Sequence, residues 1–149
     1  MCENQPAGPN SVDYADSEQY EVRTWDCNRP GNLRAFIALV NQIRRTNTAL
    51  QSNDRLQFHS TDNDQILAFT KADATQTCVI LTAINLDPIH THSGWLTLAL
   101  DALGMENAES YIAHDLLTGI RYRWHGQRNY VSLDPGTLPA HLLKLEREC

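Results

Sequence analysis

Residues 55–86 read RLQFHSTDNDQILAFTKADATQTCVILTAINL, and their period is two rather than 3.6. Three runs, Arg55–Ser60, Gln65–Lys71 and Thr77–Leu86, are rich in β-branched and aromatic residues, and Asp62-Asn63-Asp64 supplies a turn between the first two. The run Cys78–Leu86 is apolar on both alternating faces, as a central strand is when both of its faces are covered.

Toward the C-terminus the pattern repeats. Gly94–Leu100, Ser110–Leu116, Ile120–His125, Asn129–Leu133 and Ala140–Leu145 are further candidate strands. Asp87-Pro88, Thr118-Gly119, His125-Gly126 and Asp134-Pro135-Gly136 punctuate them as turns. Arg121, Tyr122, Arg123 and Trp124 alternate as a strand with one wet face does. Asp101-Ala102-Leu103-Gly104 is expected to add one short helical turn. Short strands at roughly ten-residue spacing predict an antiparallel sandwich or barrel.

Toward the N-terminus the period changes. Leu33, Phe36, Ile37, Val40 and Ile43 recur at three- and four-residue spacing and predict a helix with one apolar stripe. Pro30 suits its first turn, Asn28 is the expected nearby cap, and Arg44 with Arg45 complements the negative end of the dipole. Before it, Met1 to about Arg29 carries loop formers such as Pro6, Gly8, Pro9 and Asn10 and little periodicity. A loop of that length is uncommon inside a compact domain, so its packing partners are expected to lie elsewhere.

The 149 residues are 42% hydrophobic and 20% charged, as in ordinary soluble domains. A net charge of −6 with no clustered Lys/Arg excludes nucleic acid as a partner. No run approaches the roughly 20 apolar residues that span a bilayer, and Met1–Asn10 lacks the features of a signal peptide, so the expectation is no membrane partner and a cytoplasmic location. Cys2, Cys27, Cys78 and Cys149 form no C-x-x-C pair and are expected to be free thiols.

Sugar hydrolysis needs two carboxylates placed across one bond, and no such pair stands out. Asp62, Asp64, Asp87, Asp101 and Asp134 mostly sit in turn contexts, where the side chain bonds its own backbone. His90-Thr91-His92 has the alternate spacing of a metal pair, but two ligands are too few, and no metal or cofactor is expected. His114-Asp115 runs straight into Leu116-Leu117-Thr118-Gly119, a strand end and turn rather than a catalytic pair. Cys78 reads as core, since burial keeps a thiol inert. There is no phosphate-cradling glycine loop and no G-x-S-x-G elbow. Trp95, Trp124, Tyr111, Tyr122 and Tyr130 admit two readings, cross-strand packing or a platform for sugar rings, with packing the simpler.

Tyr14 to Arg23, Trp25-Asp26, Arg29-Pro-Gly-Asn-Leu33, Asn41-Gln-Ile-Arg-Arg45 and Asn47-Thr-Ala-Leu50 resemble the barrel end of one enzyme family. Asn85-Leu-Asp-Pro88, Ser93-Gly-Trp95, His114-Asp-Leu-Leu-Thr-Gly119, Tyr122-Arg-Trp124, Asn129-Tyr-Val131 and Pro139-Ala-His141 agree with it in order. The family is the α-1,4-glucan:maltose-1-phosphate maltosyltransferases, a branch of glycoside hydrolase family 13. The resemblance implies a mainly β fold: residues 1–52 as the loop and last helix of a (β/α)8 barrel, and residues 53–149 as the antiparallel β-sandwich called domain C. It implies a parent enzyme that transfers maltosyl units with retention, an Asp attacking the anomeric carbon and a Glu protonating the departing phosphate. Both lie upstream of the residues matched here, so this chain is expected to be inert alone and to partner the missing barrel, meeting α-glucan or maltose 1-phosphate through it.

The family's Ser-Glu-Lys-Tyr segment contacts bound sugar, and this chain has Ser17-Glu18-Gln19-Tyr20. The resemblance thus implies Gln19 and Tyr20 as substrate-binding residues. Gln19 replaces a cation by a neutral donor and acceptor, which keeps a domain of a related α-glucan hydrolase in play. A free-standing α-glucan-binding module, and a structural brace or homodimer interface, are the other readings.

Overall fold

The computed structural model describes residues 8–11, 26, 28–105 and 110–147. The chain forms two compact units, Met1–Leu39 and Val40–Cys149. Helix α1 spans Arg34–Thr46 and begins later than Pro30 suggests: the Arg34 N–H donates to Asn32 Oδ1 at 2.9 Å, so Asn32 takes the capping role expected of Asn28. Pro30 lies in the turn that precedes it.

Eight strands follow: β1 Leu56–Thr61, β2 Ile66–Ala72, β3 Val79–Asn85, β4 His92–Thr97, β5 Ser110–Asp115, β6 Arg121–His125, β7 Arg128–Leu133 and β8 Ala140–Arg147. Every pairing is antiparallel, in the order β6-β5-β8-β3-β2-β1-β4-β7. Strand β1 belongs to both layers of the sandwich. Its first part, Leu56–His59, pairs with β2, and its last residues, Ser60 and Thr61, pair with β4. The two edge strands, β6 and β7, are consecutive in the chain and joined only by Gly126 and Gln127, with Gly126 at φ +58°. The curled sheet is nearly closed there.

Burial follows the predicted period of two. Strand β2 buries Ile66, Ala68, Thr70 and Ala72, β5 buries Tyr111, Ala113 and Asp115, and β7 buries Asn129, Val131 and Leu133. Leu81, Leu96, Leu98, Leu143 and Trp124 complete the core between the layers. Central β3 also buries Ile80 on its other face, in register with Lys71 and Lys144. A 3-10 turn, Thr48–Gln51, packs on β2 and β3 and contributes the buried Ala49.

Each strand differs from its expected range at one end or both, by a few residues. Thr77 and Cys78 leave β3 because Asp73 gathers them into a turn, accepting from the Thr77 N–H at 2.9 Å and the Cys78 N–H at 3.1 Å. Strand β4 starts at His92 and stops at Thr97, against the expected Gly94–Leu100. Residues 100–104 close as a short hydrogen-bonded turn, the Leu103 and Gly104 N–H groups donating to the Leu100 and Asp101 carbonyls at 3.2 and 3.1 Å, with Gly104 at φ +68°.

Candidate functional site

The five aromatic residues that admit either packing or a sugar platform divide into two groups. Tyr111 and Trp124 are buried, with ring centroids 6.2 Å apart in an edge arrangement. The Tyr111 hydroxyl donates to the Gly126 carbonyl at 2.9 Å and accepts from Asn129 Nδ2 at 2.8 Å. Burial, opposed by the Asn129 hydrogen bond, pushes its pKa up to about 12. Tyr122 packs half-buried against the core, its ring 5.9 Å from His141. These three are structural.

Trp95 and Tyr130 lie on the opposite surface. They are register partners on β4 and β7, with centroids 5.3 Å apart and planes inclined at 64°, and they remain 42% and 52% exposed. Period two puts Ser93 and Thr97 of β4 and Arg128 and Ser132 of β7 on the same face. The Arg128 guanidinium stands 5.0 Å from the Trp95 ring centroid, a cation–π contact. Asp62, in the turn after β1, accepts from the Trp95 N–H at 2.7 Å, and its other oxygen is 3.5 Å from Arg128 Nη2. Gly94 makes this approach feasible, because a Cβ there would lie 2.7 Å from Asp62 Oδ1.

The histidine candidates resolve into loop and core architecture. Asp87 Oδ2 meets His90 Nδ1 at 2.8 Å and His92 Nε2 at 3.2 Å. The Ile89 N–H, followed by His90, holds its carboxyl well below the usual range. Among the described residues no group of three or more His, Cys, Asp or Glu is placed to hold a metal. His114 and Asp115 are strand neighbours and face opposite ways: His114 lies 4.0 Å from Glu146, while Asp115 is fully buried. Asp115 accepts from His141 Nδ1 and the Thr118 hydroxyl, both at 2.9 Å, and from the Leu117 and Leu142 N–H groups at 3.1 and 3.3 Å. Burial alone raises its pKa; these hydrogen bonds, led by His141, outweigh that and leave it lowered. Cys78 is half-buried, with Sγ 3.8 Å from Asn47 Oδ1. Gln19 and Tyr20 lie outside the described residues.

Eight antiparallel strands that follow one helix in the sequence and close into a curled, nearly closed sheet define a mainly β domain of the sandwich class. A solved structure of a maltogenic α-amylase from Thermotoga neapolitana superimposes on 80% of this chain and 27% of its own, with a TM-score of 0.57 at 12% identity, a likeness of fold. The family model described as "GLGE, C-terminal" matches residues 58–145, and the chain belongs to that family. It is 38% identical to the α-1,4-glucan:maltose-1-phosphate maltosyltransferase of Methylacidiphilum infernorum over 99% of this chain and 22% of that protein. It is 41% identical to the enzyme of the same name in Corynebacterium glutamicum over 97% of the chain and 22% of that protein. The chain thus spans about a fifth of the length of these relatives, at the part that the C-terminal family model describes.

Proposed function

We propose that this chain is the non-catalytic C-terminal part of an α-amylase-family enzyme that moves maltosyl units from maltose 1-phosphate to α-1,4-glucans with retention. The observation that carries this reading is alignment of almost the whole chain, at 38% identity, with a protein named for that reaction. In it, residues 1–52 complete a (β/α)8 barrel supplied by the rest of the enzyme, and residues 53–149 form the domain that follows. The apolar stripe of α1 supports it: Leu33, Phe36, Ile37 and Val40 are all exposed, Ile37 at 53%, on a helix whose sequence is built to be covered. The barrel is the covering surface.

The chain's own share of the chemistry is then to bind and orient sugar. Tyr20 offers a hydroxyl and a ring face, and Gln19 a neutral amide where the family has a cation. In a chimera that carries this chain in place of the matching C-terminal part of the Methylacidiphilum enzyme, Tyr20→Ala raises KM for maltose 1-phosphate about tenfold or more, equivalent to one lost contact. A chimera indifferent to that substitution would remove Tyr20 from the site.

A further inference from the structure

We infer that the outer face of β4 and β7, centred on Trp95 and Tyr130 with Arg128 and Asp62 beside them, is a surface site for a short segment of linear α-1,4-glucan. The identity of the glucan rests on the proposed function; the aromatic face itself does not.

Core burial does not account for this face. Tyr111 and Trp124 contribute by burial, whereas Trp95 and Tyr130 leave 42% and 52% of their surface in water. Around them, among the described residues, the face carries the small hydroxyl residues Ser60, Ser93, Thr97 and Ser132 and the Asp62–Arg128 pair. A glucose ring has the matching character, with apolar C–H faces and a rim of hydroxyls that donate and accept. The aromatic rings supply the stacking surface; Arg128, whose side chain is 63% exposed, supplies donors, and Asp62, at 48%, an acceptor.

Geometry narrows the ligand. Two ring planes inclined at 64° cannot both lie against one flat ribbon. The α-1,4 linkage turns successive glucose units relative to one another, so neighbouring units present C–H faces in different directions. The β-1,4 linkage gives a flat, extended chain. The angled pair therefore favours the α-linked polymer. The site is preformed, since Asp62 is fixed by the Trp95 N–H and Arg128 by the Trp95 ring, so little ordering cost is left for binding.

The test is a titration of the isotope-labelled 149-residue chain with maltoheptaose and, separately, cellohexaose, followed by NMR. The chain has three tryptophans, Trp25, Trp95 and Trp124, and each indole N–H gives its own signal. The inference expects saturable shifts at the Trp95 indole and at Tyr130 and Arg128, with the Trp124 indole unmoved. Half-saturation falls in the millimolar range. Trp95→Ala and, independently, Tyr130→Ala each weaken binding at least about tenfold with the rest of the spectrum preserved. If one variant does not fold, the other decides. Absence of shifts from a folded spectrum at high millimolar sugar, shifts centred elsewhere, or equal response to cellohexaose would overturn the inference. None of these outcomes touches the proposed enzyme reading, which is tested by transfer activity of the chimera. Glucan binding beside an inactive chimera would leave the site standing and that reading refuted.

Discussion

Asp115 shows how a residue that looks chemical can be architectural. A carboxylate beside a histidine in sequence suggests catalysis, yet its partner is His141, 26 positions away, and its oxygens tie the β5–β6 turn to β8. Removing one member of a buried, hydrogen-bonded group leaves the remainder unsatisfied. Asp115→Ala is therefore expected to cost about 3 kcal/mol in urea unfolding at pH 7. The pH dependence has a definite sign. The folded pKa is depressed, so the unfolded chain binds the proton more readily. The stabilisation is complete above the unfolded value, about 4, and is lost as pH falls through the folded value. Unfolding curves between neutral and acid pH check this: Asp115→Asn should lose less stability on acidification than the parent. An identical loss would assign the acid sensitivity to other carboxylates.

The eight strands were legible because alternation with turn punctuation is a local signal, and the structure displaces their ends by only a few residues. The displacements have causes in side-chain hydrogen bonding that periodicity does not register. Asp73 draws Thr77 and Cys78 out of β3, and Asn32 rather than Asn28 caps α1. The aromatic face was half legible. The residue types were visible, but which of the five share a surface depends on register: Trp95 meets Tyr130, and Tyr111 meets Trp124. The same dependence separates two apolar positions on the outer side of the larger layer. Ile80 is fully buried, whereas Phe58 is 64% exposed, with its ring centroid 5.9 Å from that of Phe69 across the β1–β2 pair. Ile80→Ala is predicted to cost about 3 kcal/mol, and Phe58→Ala about 0.5 kcal/mol or less. Denaturant midpoints for the two variants check the contrast. Equal losses would mean that the outer surface at β1 is as closely covered as that at β3.

The chain combines a hydrophobic core between two curled layers with surface features that core packing does not use: an exposed apolar helix stripe and an exposed aromatic face. Among the described residues no helix is long and apolar enough to cross a membrane. The chain belongs to the GLGE C-terminal family and spans about a fifth of the length of the relatives it matches; under the proposed function, the remaining four fifths supply the surface that covers the stripe. The most direct measurement is phosphate release from maltose 1-phosphate with maltoheptaose as acceptor, on the 149-residue chain and on the Methylacidiphilum chimera in parallel. The expected result is no release by the chain and steady release by the chimera, with acceptor products lengthened by two glucose units. Turnover by the chain alone, or a folded chimera that transfers nothing, would contradict it.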